Sequence, residues 1–194
     1  MVWNLPNSLT FLRIALIPVL VVVFYLPIAW SNLLSTGVFG LAALTDWFDG
    51  YLARKLGQSS PFGAFLDPVA DKLIVAVALM MLVQAIPHWW FVIPAAVIVG
   101  REIAISALRE WMAAIGERAQ VKVSKIGKFK TTAQMIALFL LLYREPLLGL
   151  PVRDTGIVLL YVAAILTLWS MVIYLRAAWP MLSASEKPQS ERGS

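Results

Sequence analysis

The chain has 194 residues, 60% of them hydrophobic and only 14% charged, with a mean hydropathy of +0.80. A soluble domain is about 45–50% apolar and about 25% charged, so this composition excludes a water-soluble enzyme or binding module and describes an integral membrane protein. No cysteine is present, which removes disulfides, thiolate metal sites and cysteine nucleophiles. The net charge of +5 does not point to nucleic acid, because the basic residues adjoin apolar stretches and do not form a soluble face.

Six spans are predicted in chain order, at about 7–27, 31–54, 64–86, 90–114, 128–145 and 154–178. Each approaches the roughly 20 apolar residues that a bilayer crossing needs. The first follows MVWNLPNSLT, which lacks a basic leader region and a small-residue cleavage pattern, so it reads as a span and not as a cleaved signal. Thr10 and Arg13 stand where it begins, positions suited to a helix cap and a snorkelling arginine. A short connection near Pro27–Ser31 leads to the second span, and another near Ile86–Trp90 joins the third to the fourth. The only histidine, His88, lies there beside Trp89 and Trp90, and reads as an interfacial residue. Arg54, Lys55, Lys72, Arg118, Lys122, Lys125, Lys128 and Lys130 fall on or lean toward one side, and Arg144 and Arg153 fall on the other. The positive-inside rule then places both termini in the cytoplasm. Residues 1–182 read as a single domain, and 183–194 as a polar, disordered tail.

Four of the five aspartates, Asp46, Asp49, Asp67 and Asp71, fall within 26 residues where the second and third spans meet. Asp46 lies about 22 Å along the second span at 1.5 Å per residue, near the cytoplasmic edge of the hydrocarbon. Asp49, Gly50 and Ala53 follow at three, four and seven residues, so they share its face. Gly63, Asp67 and Asp71 repeat every fourth residue on the third span. Two antiparallel helices are therefore expected to oppose two carboxylates each. Carboxylates beside hydrocarbon are costly unless neutralised. Hard oxygen ligands select Mg²⁺ or Mn²⁺, and four are enough for two ions about 3.5–4 Å apart, the clamp used for displacement at phosphorus. Structural pairing of Asp with Arg is the plainer alternative, but local cations are too few. Gly50, Ala53 and Gly63 either pack helices or let a ligand approach the backbone, and Arg54 suits bidentate phosphate binding.

Asp46-x-x-Asp49-Gly50-x-x-Ala53-Arg54, eight residues, then Gly63-x-x-x-Asp67-x-x-x-Asp71 resembles the signature of the CDP-alcohol phosphotransferase family at every fixed position. The resemblance implies that Asp46, Asp49 and Asp67 ligate metal. It implies that Asp71 is the general base on the acceptor hydroxyl, while also touching metal. It further implies that Gly50, Ala53, Arg54 and Gly63 contact the CDP moiety, that Gly57 and Ser60 line its cytidine end, and that Thr10 and Arg13 reach the nucleotide. NLPNSLTFLRIALIP, GREIAISALREWMA and KIGKFKTTAQ are similar to the corresponding stretches of bacterial members that join CDP-diacylglycerol to sn-glycerol 3-phosphate and release CMP. Such a reaction is expected in the bacterial cytoplasmic membrane, with membrane lipids around it, no nucleic acid partner, and a homodimer as the assembly.

A phosphorylated acceptor needs cations, and Arg101, Arg109, Lys128 and Lys130 are the expected pocket. Arg101, deep in the fourth span, has a plainer reading as a partner of Glu102 or Glu110. The alternatives are a sibling using inositol phosphate, serine or phosphatidylglycerol, an ion transporter with intramembrane carboxylates, and a noncatalytic scaffold. A transporter is expected to show a midplane site and often inverted repeats, and the sequence has neither.

Overall fold

The computed structural model describes residues 5–56, 61–114, 125–146, 149 and 151–185. The described residues are all-helical: α1 (Leu5–Tyr25), α2 (Ser31–Leu56), α3 (Pro61–Ala85), α4 (Trp89–Ala114), α5 (Lys125–Tyr143) and α6 (Val152–Ser185). Each coincides with one expected span, the first five to within a few residues, whereas α6 runs seven residues past the expected end at 178. The last three described residues of α6 continue into the segment expected as a tail, and the remainder of that segment lies outside the described residues.

Among the described residues, three helices are long and apolar enough to cross a membrane, through Asn7–Tyr25 of α1, Trp89–Ala113 of α4 and Val152–Trp179 of α6. A shorter apolar run, Phe129–Tyr143, occupies α5. The surface confirms the solvent. Leu44, Phe65, Met80, Ile103, Val158 and Ile165 are all exposed, an apolar coat that water does not tolerate and hydrocarbon does. Trp30 and Trp89 stand exposed at the two tight turns, where aromatic rings anchor at a membrane boundary. His88 is exposed beside them and stacks on Trp90 at 5.4 Å. This is a membrane protein.

Two connections close within a few residues. Ser31 N donates to Ile28 O at 3.1 Å between α1 and α2, and Phe91 N to His88 O at 2.9 Å between α3 and α4. Between α5 and α6 the chain turns through Arg144 and Gly149, both in the left-handed region, with φ of 61° and 79°. Gly supplies that conformation without strain.

Packing sets the site. α1 lies against both α2 and α3, whereas α2 and α3 touch each other least of all the packed pairs. The expected opposition of carboxylates holds for Asp46 and Asp71, whose side chains meet, and α1 is wedged alongside both aspartate-bearing helices. Like charges on facing helices repel, and α1 brings a cation between them. On the other side α5 packs closely along α6 and also against α2. The α5–α6 approach depends on Gly156, where a Cβ would come 2.9 Å from Leu141 Cγ. A core of Leu20, Phe39, Ala78, Leu82, Phe91, Leu138 and Leu160 joins the helices below the site.

Candidate active site

The site is built on helical repeats. Thr10 and Arg13 are three residues apart on α1, Asp46 and Asp49 three apart on α2, and Asp67 and Asp71 four apart on α3, so each pair shares a face. The three faces meet. Arg13 Nη1 lies 3.1 Å from Asp46 Oδ1. The same nitrogen donates to Asp71 Oδ1, and Nη2 donates to Asp49 Oδ2. Thr10 Oγ1 donates to Asp67 Oδ1. Thr10 lies well inside α1 and is no helix cap. Arg13 is 1% exposed and does not snorkel.

The electrostatics are lopsided. Three carboxylates, those of Asp46, Asp49 and Asp71, gather around one buried guanidinium, with Asp67 held beside them by Thr10, and Arg13 Nε remains without a hydrogen-bond partner. Arg13 offers a single charge, so the cluster keeps an excess of negative charge. Asp49 is sealed at 5% side-chain exposure, whereas Asp46 and Asp71 stay open at 50% and 45%. Among the described residues no three acidic side chains converge on a point of their own; they converge on Arg13. The donor set is oxygen only and carries uncancelled charge, which fits a hard divalent cation.

Asp46, Asp67 and Asp71 open on a cavity of about 370 Å³. Phe39 and Ala42 of α2, and Ile74 and Val75 of α3, give it an apolar floor, and Lys72 stands at the acid side. The facing wall comes from α4 and α5 and carries Glu102, Arg109, Lys130, Thr131 and Gln134. Glu102 Oε1 accepts from Lys130 Nζ at 2.8 Å and from Arg101 Nη1 at 3.0 Å. Arg109 donates to the Tyr174 hydroxyl at 2.7 Å and lies over that ring at 5.0 Å.

Of the expected phosphate-binding cations, Arg109 and Lys130 therefore line the cavity. Arg101 does not: it turns to Glu102 and to Ser170 Oγ, 3.1 Å away on α6. The side chain of Lys128 lies outside the described residues, as do those of Ala53 and Arg54 and the whole of Gly57 and Ser60. Gly50 holds its place in α2, and Gly63 is buried at the start of α3. Sequence reasoning did not assign Glu102, Thr131 or Gln134 to the cavity. A signal was present. Glu102 precedes Arg109 by seven residues, about 20° short of two full turns, and Gln134 follows Lys130 by four.

The sequence has close relatives. Residues 3–172 match the model of the CDP-alcohol phosphatidyltransferase family. A CDP-diacylglycerol–glycerol-3-phosphate 3-phosphatidyltransferase of Salmonella choleraesuis is 57% identical over 178 residues, covering 92% of this chain and 96% of the relative. Proteins of the same name from Pectobacterium atrosepticum and Escherichia coli are 56% and 55% identical over the same shares. The match extends along nearly the whole chain, which belongs to the CDP-alcohol phosphatidyltransferase family.

Proposed function

We propose that this protein transfers the phosphatidyl group of CDP-diacylglycerol to sn-glycerol 3-phosphate, giving phosphatidylglycerophosphate and CMP. One observation carries the reading beyond the relatives' names. An acid wall with Asp46, Asp67 and Asp71 and a basic wall with Arg109 and Lys130 face a single cavity. The first suits a cation-bound diphosphate and the second a phosphorylated acceptor.

Asp46, Asp49 and Asp67 would hold Mg²⁺ or Mn²⁺, two ions in the fullest arrangement, with Asp71 at their edge. Such ions, when bound, neutralise the diphosphate and the departing CMP. Arg109 and Lys130 bind the acceptor phosphate, and Glu102 keeps Lys130 aimed along the cavity wall. Asp71, open to the cavity, takes the proton of the 1-hydroxyl as its oxygen attacks the phosphorus bearing diacylglycerol. The bond from that phosphorus to the CMP oxygen breaks in the same displacement, and no enzyme nucleophile intervenes. Arg13 holds Asp49 and Asp71 in register across the α2–α3 gap. Gly50, Ala53, Arg54, Gly63, Gly57, Ser60 and Thr10 remain the proposed surroundings of the CDP-diacylglycerol headgroup.

The same reading places six helices across the bacterial cytoplasmic membrane, with both termini and the cavity mouth on the cytoplasmic side, and two protomers side by side. The cation-bearing wall favours a phosphorylated acceptor over serine. Purified protein in detergent, given CDP-diacylglycerol, Mg²⁺ and labelled glycerol 3-phosphate, is expected to release CMP and to stop when a chelator is added. Silence with every alcohol would defeat the transferase reading, and turnover with another alcohol alone would defeat the choice of acceptor.

A further inference from the structure

Gln134 is only 5% exposed, and its carbonyl oxygen Oε1 is buried without a hydrogen-bond partner. It nevertheless lines the cavity shared by Asp71, Arg109 and Lys130. Buried acceptors are nearly always paired, because an unmade bond leaves desolvation uncompensated. An unpaired acceptor on a side chain that lines a substrate cavity calls for a donor from the substrate.

The surroundings narrow that donor. Lys130 precedes Gln134 by four residues, so both lie on one face, about 6 Å apart along the helix axis. The acceptor phosphate belongs at Lys130 and Arg109, and the attacking hydroxyl belongs at Asp71. A carbonyl oxygen repels a phosphate and offers a base nothing. What it binds is a neutral hydroxyl between the two ends. Two neighbouring polar groups already have partners: Thr131 Oγ1 donates to Gly127 O at 3.1 Å, and Glu102 Oε1 holds Lys130 and Arg101.

We infer that Gln134 Oε1 accepts a hydrogen bond from the 2-hydroxyl of glycerol 3-phosphate, which makes Gln134 a specificity-determining residue for a phosphate carrying vicinal hydroxyls. The inference rests on the transfer reaction proposed above and adds the feature of the acceptor that is read. A site built to bond a substrate hydroxyl rejects the analogue lacking it, since its own buried group is then left unpaired.

The test compares glycerol 3-phosphate with 3-hydroxypropyl phosphate, which keeps the phosphate and the attacking hydroxyl but lacks the 2-hydroxyl. CMP release is followed for wild type, Gln134→Met and Gln134→Leu, with gel filtration and thermal melting in detergent to certify folding. Wild type is expected to prefer glycerol 3-phosphate in kcat/KM by at least about tenfold. Both variants lose about 10- to 100-fold on glycerol 3-phosphate while staying within about threefold of wild type on the analogue. Equal losses on both substrates would overturn the inference. If neither variant folds, wild type decides alone, and equal kcat/KM for the two substrates overturns it. Turnover without preference defeats this inference only, whereas no turnover with any acceptor defeats the transfer reaction and this inference together.

Discussion

The two walls of the cavity are built as opposites. On the α2–α3 side, three carboxylates close on one cation, Arg13. On the α4–α5 side, two cations close on one carboxylate, Glu102. The remainders differ accordingly. The acid wall keeps uncancelled negative charge, and the basic wall keeps Arg109, tied among the described residues to the neutral Tyr174. In each wall the minority charge fixes the geometry, and the majority charge is left for a ligand. A buried ion pair alone contributes little net stability, so the imbalance marks these clusters as binding surfaces more clearly than the pairs themselves do.

Substitutions on either wall break this symmetry to different degrees. Asp71→Asn removes the proposed base and is expected to lower kcat about 10²- to 10⁴-fold. CDP-diacylglycerol binding, measured by nucleotide protection or calorimetry, is expected to survive in part; equal loss of binding and turnover would make Asp71 chiefly a metal ligand. Arg13→Leu strips the acid wall of its central cation and leaves Asp49 buried without it. Thermal or denaturant unfolding in detergent is expected to show about 3–5 kcal/mol of lost stability, the scale for half of a broken buried pair. Arg13→Lys is expected to recover only part of this, because an ammonium cannot span several carboxylates as a fork does.

The basic wall answers differently. Lys130→Ala is expected to raise the KM for glycerol 3-phosphate about 10- to 100-fold with little change in kcat, as for a charge-assisted contact made alike in ground and transition states. Glu102→Gln, which keeps Lys130 but loosens its anchor, is expected to raise KM less than Lys130→Ala does. The reverse order would mean that Glu102 itself meets the substrate. Away from both walls, Gly156→Val forces a methyl against Leu141 and is expected to cost about 1–3 kcal/mol of stability. Activity per folded molecule stays unchanged if the α5–α6 seam is structural only.

The acid wall was readable because its residues repeat at three and four positions on single helices, so spacing alone fixes a common face. Thr10 and Arg13 follow the same rule, yet their place between α2 and α3 depends on which helices neighbour each other, and that is a tertiary fact. The basic wall was harder for a rotational reason. Arg101 and Arg109 are eight residues apart, about 80° around α4, and only Arg109 reaches the cavity. Glu102 lies on Arg109's face but reads in sequence as a mere partner for Arg101. Gln134 carries no charge and no motif, and only its burial beside an open cavity singles it out. The spans illustrate the same limit: α2 and α3 have the length of a crossing, and the polar residues that build the site also dilute their apolar signal.

The wedge of α1 has a consequence for how the chain is made. The first helix leaves the ribosome before the second and third, since synthesis runs from the amino terminus. The guanidinium is therefore already made when the acidic helices follow, and Asp46, Asp49 and Asp71 find their counterion in place. A rearranged gene that delivered α1 last would ask Asp49 and Asp71 to wait without their counterion, a state that low-dielectric surroundings penalise heavily. Birth order in this protein is thus part of the solvation of its acidic residues.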